Sequence, residues 1–326
     1  MKILITGGAG YIGSQTNLYL LEKGFETVVF DNLVYGHRHN IPANPNCQFV
    51  QGSLLDLAQL EAVFDHNQID GVIHFAAFAY VGESVTDPSK YYQNNVLGSF
   101  NLLEVMRKFG CQKLVFSSTC ATYGTPETLP ITESEPQKPI NPYGWSKLMI
   151  EQMIKDYHVA YGLNAVVFRY FNAAGADSDL RTGEEHSPET HLIPLILEVA
   201  SGKRDQIMIF GDDYETPDGT CIRDYIHTTD LASAHFLGMQ KLNGDKICEF
   251  INLASGNGFS VLEIIQMVEK VTGKIIKTQI APRRAGDPAM LIADNKKARE
   301  FLDWNPTNSN LENIIQTAWN WESRNK

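Results

Sequence analysis

The feature that most restricts the fold is a glycine-rich turn that follows the first apolar run of the chain. Residues 2–6 (KILIT) have the composition of a short buried strand, and Gly7, Gly10 and Gly13 follow at intervals of three before a helical pattern begins. Without side chains, the backbone can turn tightly there and approach a pyrophosphate at the helix N-terminus. A second apolar run, 27–31, ends in Asp31, an acid suited to bind the adenosine ribose hydroxyls and to repel a 2′-phosphate. The pattern predicts dinucleotide binding, with NAD favoured over NADP.

Further apolar runs at 71–77, 113–118 and 164–171 alternate with helical patterns. Such alternation is typical of βαβ units that build a parallel sheet, whose ligands bind outside the carboxyl ends of the strands. After Phe171 the regular alternation of apolar runs and helical patterns gives way to glycine- and charge-rich loops. Residues 248–255 have the composition of one more sheet strand. The sequence therefore predicts an α/β protein with a parallel sheet and a second, less regular part.

Composition excludes several functional classes. With a net charge of −11 over 326 residues, nonspecific attraction to nucleic acid or to an anionic membrane is not expected. Neither the five cysteines nor the nine histidines show a metal-ligand spacing, so no metal site is predicted. An odd number of cysteines suits a reducing compartment, and neither a leader-like segment nor a membrane-spanning run is recognisable. We expect a soluble cytoplasmic protein.

Two polar stretches carry the candidate chemistry. In NPYGWSK, Tyr143 and Lys147 are four residues apart, on one face of the helix that begins there. A tyrosine with its usual pKa near 10 is a poor base at neutral pH, but a cation about 5 Å away would lower that pKa by roughly 2 units. In FSSTCATYG an apolar run ends in three hydroxyl residues, Ser117, Ser118 and Thr119, which need partners at the end of a buried strand. Together with the glycine-rich turn, these stretches indicate an enzyme site.

The motifs TGGAGYIG, SSTCATYG, PYGWSK, RYFNAAGA, DGTCIRDYIH and PRRAGDPA occur together in this chain. In this combination, over essentially the whole length, the sequence resembles the extended short-chain dehydrogenase/reductases, and among them the UDP-glucose (UDP-galactose) 4-epimerase family. The resemblance implies an α/β fold with a Rossmann-type doubly wound parallel sheet and a smaller C-terminal α/β substrate domain. It places the NAD-binding domain at 1–171, with 225–255 returning to it, and the nucleotide-sugar domain at 172–224 and 256–326.

The resemblance also implies roles for the catalytic residues. Thr119 and Tyr143 would hydrogen-bond the sugar 4-hydroxyl, Tyr143 would remove its proton as C4 is oxidised, and Lys147 would bind the nicotinamide ribose and hold the phenolate charge. The 4-keto sugar would rotate and be reduced on its other face, so that UDP-glucose and UDP-galactose interconvert without net redox change. Family members are commonly homodimers that use two helices per subunit, and 94–108 and 147–161 are apolar enough to serve here.

The family pattern assigns the remaining contacts. Those to NAD fall on Gly7, Gly10, Tyr11, Ile12, Gly13, Asp31, Asn32, Ser53, Leu54, Phe75, Ala76, Ala77, Asn94, Ser117, Tyr143, Lys147 and Tyr170. Those to the UDP-sugar fall on Thr119, Tyr143, Phe171, Asn172, His191, Leu192, Phe210, Arg223, Tyr225, Arg284, Asp287 and Leu291. Two of these, Arg223 and Arg284, would hold the diphosphate, because the arginine fork matches phosphate oxygens.

Some positions depart from better-known members of the family. Ser53 replaces an aspartate that contacts adenine, Ala79 replaces a lysine on the cofactor, and His191 replaces an asparagine that faces the substrate. We therefore expect NAD to be retained somewhat less tightly. Leu291 lies at the position that limits the space for an N-acetyl group at sugar C2, and its size favours UDP-glucose and UDP-galactose.

Other functions stay open at this point. A 4-epimerase of UDP-xylose/UDP-arabinose or of UDP-N-acetylhexosamines would share nearly all of these motifs. A nucleotide-sugar dehydratase is less expected, because such enzymes usually carry an Asp-Glu pair directly after the threonine, where this chain has Cys120 and Ala121. A binding or regulatory protein on the same fold is least expected, since such proteins tend to lose the Tyr–Lys pair.

Overall fold

The computed structural model describes residues 1–284 and 287–324. Its strands are β1 (Lys2–Thr6), β2 (Glu26–Asp31), β3 (Cys47–Gln51), β4 (Gly71–His74), β5 (Lys113–Thr119), β6 (Asn164–Tyr170), β7 (Asn172–Ala174), β8 (Ile207–Phe210), β9 (Ile222–His227), β10 (Cys248–Leu253), β11 (Gly258–Ser260), β12 (Thr278–Ala281) and β13 (Met290–Leu291). Its helices are α1 (Tyr11–Glu22), α2 (Leu57–His66), α3 (Val81–Thr86), α4 (Pro88–Tyr91), α5 (Gly98–Lys108), α6 (Pro142–Tyr161), α7 (Leu192–Ser201), α8 (Thr228–Lys241), α9 (Val261–Thr272), α10 (Lys296–Leu302) and α11 (Leu311–Ser323). Among these described helices, none is long and apolar enough to cross a membrane.

Seven strands of the described chain form one sheet in the order β10-β6-β5-β4-β1-β2-β3, and every neighbouring pair is parallel. The strand order reverses between β1 and β4, the switch point at which doubly wound sheets bind ligands. Helices α2, α5 and α6 bury apolar side chains with one face of the sheet, and α1, α8 and α10 with the other. Coverage of both faces explains why the strands are apolar along their length. The predicted α/β fold is confirmed, and so is the strand expected within 248–255.

A second, smaller part of the structure is built around β9. Within residues 1–284 and 287–324, β9 pairs with β7 and β13 in parallel and with β11 antiparallel, while β8 pairs with β12. Helices α7, α9 and α11 bury their apolar faces together beside these strands. The boundaries that the sequence analysis gives to the two domains stay a prediction.

Helix α6 begins where the sequence places the candidate tyrosine. The side-chain oxygen of Asn141 accepts a hydrogen bond from the Gly144 N–H at 2.8 Å, Pro142 occupies the first turn, and Gly162 ends the helix in the left-handed region. A Cβ at Gly144 would lie 2.5 Å from the carbonyl oxygen of Ala121. Glycine therefore lets α6 start directly against the turn that follows β5, which brings the helix start to the carboxyl end of that strand.

Candidate active site

The end of β5 carries the hydroxyl group predicted to be catalytic. Thr119 is the last residue of β5, and its Oγ1 accepts a hydrogen bond from the Ala121 N–H at 3.1 Å, which ties it to the 3₁₀ turn Cys120–Thr122. Tyr143, in the first turn of α6, lies close enough to the Thr119 hydroxyl for that group to lower its pKa. Thr119 is buried and Tyr143 half-buried. The structure therefore brings together the phenol and hydroxyl that lie 24 residues apart in the sequence.

Lys147 lies one turn further along α6 and is only 2 % exposed. Its Nζ donates to the carbonyl oxygen of Ser117 at 2.7 Å and lies 4.9 Å from the centre of the Phe116 ring. Burial lowers the pKa of Lys147 to about 7, although the carboxylate of Glu151 acts in the opposite direction. The ammonium group is therefore only partly charged at neutral pH, and its charge can respond to a bound ligand.

The sequence predicts that Lys147 lowers the pKa of Tyr143, and this prediction is wrong for the protein as described. Burial raises the pKa of Tyr143 to about 12, and the nearby Thr119 hydroxyl offsets only part of that rise. The reason is that Lys147 is itself buried, partly deprotonated near neutral pH and engaged with the Ser117 carbonyl. Tyr143 is thus a protonated phenol until further positive charge reaches the site.

A network that the sequence analysis missed fixes the same face of α6 one turn beyond Lys147. Ser118 Oγ donates to Glu151 Oε1 at 2.6 Å, and Glu151 accepts from Arg169 Nε and Nη2 at 3.0 and 2.7 Å. Arg169 Nη1 also donates to the Tyr123 hydroxyl at 3.0 Å, which in turn donates to Asn252 at 2.7 Å. An acid on the buried face of α6 and an arginine inside an apolar run were the available sequence signals. Ser118 is therefore structural.

The glycine-rich turn has the geometry that dinucleotide binding requires. Gly7 has φ of 73°, and a Cβ there would lie 2.5 Å from the Ala76 nitrogen, so a side chain is excluded. A Cβ at Gly13 would lie 2.3 Å from the Gly7 carbonyl oxygen, whereas one at Gly10 would meet only that same oxygen, at 3.4 Å. Helix α1 starts after Gly10 without a side-chain cap. Its first N–H groups can therefore receive a phosphate.

Asp31 ends β2 beside this turn and is 8 % exposed. Its Oδ2 accepts from the Ala9 N–H at 3.0 Å and its Oδ1 from the Leu33 N–H at 2.8 Å. Burial raises the pKa of Asp31, and these two backbone N–H groups oppose that rise. The carboxylate is therefore held in a fixed position at the edge of the sheet, where ribose hydroxyls could reach it.

Three of the residues predicted to contact the cofactor, Asn32, Ser53 and Asn94, line one cleft of about 410 Å³ beside the ends of β2 and β3. Ser53 Oγ accepts from the Leu55 N–H at 3.2 Å and so shapes the local turn. Asn94 lies in a π-helical segment, Tyr92–Leu97, between α4 and α5. Such segments are frequent at functional sites because they re-aim side chains.

Lys90 lines the same cleft and was missed by the sequence analysis. Its Nζ donates to the Tyr35 hydroxyl at 2.9 Å and to Glu83 at 2.6 Å, and it lies 4.5 Å from the centre of the Phe78 ring. Asp87 caps the first turn of α4 and so fixes the backbone that carries this lysine. No sequence signal beyond that cap identifies Lys90, because its role depends on the tertiary position of α4.

Other predicted cofactor residues lie directly after β4 or within the last residues of β5 and β6. The N–H groups of Phe75 and Ala76 donate to the carbonyl that ends β1, at 2.9 and 3.1 Å, and Ala77 continues the turn. Ser117 and Tyr170 hydrogen-bond each other between adjacent strands. These side chains lie at the carboxyl edge of the sheet, as the sequence analysis expects.

Three further predicted residues face inwards with their side chains. The Tyr11 hydroxyl donates to the carbonyl of Gly175, so this side chain links α1 to the smaller part of the protein. Ile12 packs against the core on the α1 face of the sheet, and Leu54 is buried in the core on the other face. A contact of these residues with a dinucleotide would have to use their backbone atoms.

Arg223 on β9 lies between the turn that follows β5 and the residues Asp287 and Leu291. Its Nη2 donates to Asp287, and its position on β9 is paired with Leu291 on β13. Burial raises the pKa of the Cys120 thiol to about 11, and the positive charge of Arg223 opposes that rise. Arg223 therefore lies close enough to the turn after β5 for its charge to be felt there.

A small apolar cluster joins the two sides of the site. Phe171, 8 % exposed, belongs to it, and Cys120 and Leu291 pack against it. The structure thus unites the predicted sugar contact, the predicted size gate and the residue that follows Thr119. In the sequence these three residues are far apart, and no local pattern connects them.

The remaining predicted substrate residues form pairs around β8 and β9. The Arg284 guanidinium lies 4.1 Å from the centre of the Phe210 ring. Asn172 Nδ2 donates to the Asp224 carbonyl at 2.8 Å, and Asn172 pairs with Tyr225 between β7 and β9. These pairs set the positions of the side chains, and their contacts with a substrate stay predictions.

His191 and Leu192 stand at the start of α7. The imidazole Nδ1 of His191 lies 2.8 Å from Glu184 and 2.9 Å from Glu189, and Leu192 packs beside the core of the smaller part. Burial alone would lower the pKa of His191, but these two carboxylates raise it to about 10. The side chain of His191 is therefore committed to acidic neighbours, and its predicted contact with the substrate stays a prediction.

With the phenol of α6 at the carboxyl edge of a doubly wound sheet and a glycine-rich turn beside it, the protein is of the extended short-chain dehydrogenase/reductase class. A family model described as GDP-mannose 4,6 dehydratase matches residues 4–317. The UDP-glucose 4-epimerase of Halalkalibacterium halodurans is 53% identical over 321 residues, 98% of this chain and 95% of that relative. The chain belongs to the UDP-glucose 4-epimerase family, which confirms the resemblance carried by the motifs.

Solved structures agree with this assignment. A crystal structure of UDP-glucose 4-epimerase from Brucella ovis in complex with NAD is 50% identical, with a TM-score of 0.95 over 98% of this chain and 97% of that one. The UDP-glucose 4-epimerase of Bifidobacterium longum, in complex with NAD+ and UDP, is 40% identical, with a TM-score of 0.94 over 100% of this chain and 99% of that one. Both relatives share the whole fold with this protein.

Proposed function

We propose that this protein is an NAD-dependent isomerase that interconverts UDP-glucose and UDP-galactose by transient oxidation at sugar C4. The observation that carries the proposal is the Tyr143 phenol beside the Thr119 hydroxyl at the end of β5, one helical turn from the buried Lys147. Relatives with this fold are UDP-glucose 4-epimerases, and solved examples hold NAD and UDP.

The residues of the chain support NAD binding along the carboxyl edge of the sheet. The uncapped N-terminus of α1 suits the pyrophosphate, Asp31 suits the adenosine ribose, and Asn32, Ser53 and Asn94 line the adjoining cleft. Bound there, NAD would accept a hydride from sugar C4 and later return it. Its positive nicotinamide would also oppose the effect that burial has on the pKa of Tyr143.

The chain's own groups move the proton and hold the sugar nucleotide. Tyr143 accepts the proton of the 4-hydroxyl through a hydrogen bond that Thr119 helps to align, and it returns the proton when the 4-keto sugar is reduced on its other face. Lys147 would stabilise the phenolate form of Tyr143 before it accepts this proton and again after it has returned it. Arg223 and Arg284 hold the diphosphate, because their forked N–H groups match its oxygens.

A dehydratase is disfavoured by the residues after Thr119. Elimination of water would need an acid–base pair there, but Cys120 carries a thiol whose pKa is raised by burial to about 11, and Ala121 has no ionisable group. The Ala121 N–H is used to hold the Thr119 hydroxyl. The site can therefore transfer the 4-hydroxyl proton and lacks the groups for removing water at C5–C6.

Replacement of Tyr143 tests the proposed function. We expect Tyr143→Phe to lower turnover of UDP-glucose about 10²–10⁴-fold, the range of a general base, while UDP still binds. The measurement is formation of UDP-galactose, together with calorimetric titration of UDP. Tyr161→Phe is the matched control, because Tyr161 lies on the same helix and is 52% exposed. Turnover of Tyr143→Phe close to that of Tyr161→Phe would contradict the assignment.

The preferred sugar is decided by a side-by-side product assay with UDP-glucose, UDP-xylose and UDP-N-acetylglucosamine. Leu291 packs against the cluster that contains Phe171, which restricts the space beside the predicted sugar position. We expect UDP-glucose to have the highest kcat/KM of the three. A higher value for UDP-xylose or UDP-N-acetylglucosamine would move the assignment to the corresponding 4-epimerase.

We further propose a cytoplasmic homodimer. Helices α5 and α6 and the segment before them carry exposed apolar side chains, including Leu97, Phe100, Trp145 and Met149, each 42–48% exposed. Such a surface suits burial against a second copy of the same helices. Light scattering on the purified protein would give twice the mass of the chain, and the mass of one chain would contradict the dimer.

A further inference from the structure

Four metal-ligating side chains converge on the loop that precedes α7. Glu184, His186, Glu189 and His191 each direct one nitrogen or oxygen atom to a common point, and these atoms all lie within 4.8 Å of one another. The Nδ1 atom of His186 lies 3.1 and 3.8 Å from the two carboxylates, and that of His191 lies 2.8 and 2.9 Å from them. We propose that this set, the 184–191 cluster, binds a divalent transition-metal cation, Zn²⁺ being the best match.

The spacing of the four atoms fits tetrahedral coordination. Zinc binds imidazole nitrogen and carboxylate oxygen at about 2.0–2.2 Å, which places tetrahedral ligand atoms about 3.3–3.6 Å apart. The four histidine–carboxylate separations of 2.8–3.8 Å bracket that distance, and since all four ligand atoms lie within 4.8 Å of one another, modest side-chain shifts would admit the ion. A ligand set of two imidazoles and two carboxylates also suits zinc better than Ca²⁺ or Mg²⁺, which prefer oxygen ligands throughout.

The charge of the 184–191 cluster points the same way. The side chains of Glu184 and Glu189 are only 9% and 10% exposed, although they lie against each other around His186 and His191. Within residues 1–284 and 287–324, their ion pairs are with these two imidazoles and with no lysine or arginine. The imidazoles must give up their protons to bind a metal ion, and the two carboxylates then leave a charge of −2, which a divalent cation balances.

A fifth polar group close to the cluster lacks a partner. The hydroxyl of Tyr80 is buried and has no hydrogen-bond partner among the described residues. The ring of Tyr80 packs edge-on against His186 with centroids 6.0 Å apart, and Glu184 and Glu189 are close enough to raise its pKa. A water molecule on the cation would give this hydroxyl the partner it needs.

A neighbouring set, His37, His39 and Glu185, does not carry the same proposal. Glu185 is already paired with Arg324, a fixed cation that a metal ion would have to displace. His39 is also 60% exposed. This set therefore serves as the natural comparison for the 184–191 cluster.

The cation would order the loop that carries its four ligands. The same loop is joined to α1 through the Tyr11 hydroxyl, which donates to Gly175, and through Arg181, which pairs with Glu22 at 2.6 Å. Tyr11 stands directly after Gly10 at the start of α1. A metal ion at the 184–191 cluster would therefore fix the conformation of a loop that is already joined to the cofactor half by these two contacts.

The experiment uses the full-length protein with its bound cofactor and without a polyhistidine tag. After exhaustive removal of metal, Zn²⁺ is titrated in competition with a chromophoric chelator, and bound metal is counted by mass spectrometry. We expect one ion per chain with a Kd of about 1 µM or tighter. His186→Ala and Glu189→Gln are each expected to weaken binding at least about 10–100-fold, whereas His39→Ala leaves it unchanged.

Two outcomes would overturn the proposal. One is a wild-type protein that binds less than half an equivalent at 10 µM Zn²⁺, and the other is binding that His39→Ala abolishes while His186→Ala spares it. If the variants fold poorly, Co²⁺ added to the wild-type protein decides the matter. Saturable, intense visible bands at one equivalent support a four-coordinate site, and the absence of such bands contradicts it.

Discussion

Lys147 and Arg169 are two cations that are equally buried, at 2 % exposure each, and both lie close to Glu151, yet they hold their charges differently. Arg169 donates twice to Glu151 and once to Tyr123, and despite the cost of burial these contacts raise its pKa. Lys147 donates to a neutral carbonyl at 2.7 Å, and burial lowers its pKa to about 7.

The difference separates a structural charge from an adjustable one. A buried guanidinium with a bidentate carboxylate partner stays ionised whatever binds nearby, and it fixes α6 against the sheet. A buried ammonium whose hydrogen bond goes to a carbonyl can gain or lose its proton when a ligand changes the local charge. One helix therefore carries a rigid anchor at Glu151 and a responsive group one turn before it, at Lys147.

The largest effect is expected from breaking the anchor. Glu151→Gln keeps the side-chain size but leaves Arg169 buried without a counter-charge, so we expect the free energy of unfolding to fall by about 3–5 kcal/mol. The measurement is urea denaturation at pH 7. Glu104→Gln is the matched control, because Glu104 pairs with Arg107 on the surface and that change should cost less than about 1 kcal/mol. Equal losses in the two variants would mean that Arg169 is not anchored by charge.

Lys147→Met tests the responsive half of the comparison. Turnover should fall by about 10²-fold, the scale of losing one preorganised electrostatic group. Stability should change with pH in a defined direction. The folded pKa is near 7 and the unfolded pKa near 10.5, so between these values the unfolded chain binds more protons.

Relative to Lys147→Met, the wild-type protein should therefore gain stability as the pH rises from 7 towards 10. Below pH 7 both states hold the proton, and burying the charge costs the wild-type protein in full. Denaturation of the pair at pH 7, 8 and 9 measures the trend. A difference that stays constant over this range would mean that Lys147 remains charged in the folded state, like Arg169.

Tyr143 and Lys147 also show what a sequence can predict. The positions of Tyr143 and Lys147 can be predicted from their helical spacing and from the cap before them. The position of Asp31 can be predicted because it ends an apolar strand. Local sequence patterns therefore suffice for all three residues. The sign of the pKa shift of Tyr143 does not follow, because it depends on how deeply the folded chain buries Lys147.

Lys90 was missed for the same reason, since its partners Tyr35 and Glu83 lie on other elements. The 184–191 cluster lies within one loop, but its spacing matches no familiar metal-binding motif, and only the folded loop brings its side chains together.

Leu291→Ala extends the comparison to the rim of the site, where side chains are partly exposed and smaller effects are expected. Removing this side chain from the cluster around Phe171 should raise kcat/KM for UDP-N-acetylglucosamine relative to UDP-glucose by about 10-fold, within the 1–3 kcal/mol of a misfitting group. Leu291→Phe should move the ratio the other way. The two ratios are measured in parallel, and an unchanged ratio in both variants would remove Leu291 from the gate.

The smallest effect is expected from a third cation, Lys90, because it is neither deeply buried nor alone. Its side chain is 28% exposed and paired with Glu83 at 2.6 Å in the cleft that Asn32, Ser53 and Asn94 also line. Lys90→Gln should weaken NAD retention by about fivefold or less, since a partly exposed charge contributes up to roughly 1 kcal/mol.

The salt dependence of NAD binding tests whether Lys90 acts as a partly exposed charge at the edge of the cleft. The effect of Lys90→Gln on the NAD dissociation constant should shrink at 1 M salt, because ions screen exposed charges. The loss of turnover in Lys147→Met should persist at 1 M salt, because Lys147 is buried. Lys296→Gln, a surface change far along the chain at α10, serves as the control. A 100-fold weakening of NAD binding by Lys90→Gln that does not depend on salt would contradict this expectation. Lys90 would then act like the buried cations. Its distance from the cleft, and not its burial, would govern how strongly it acts in this site.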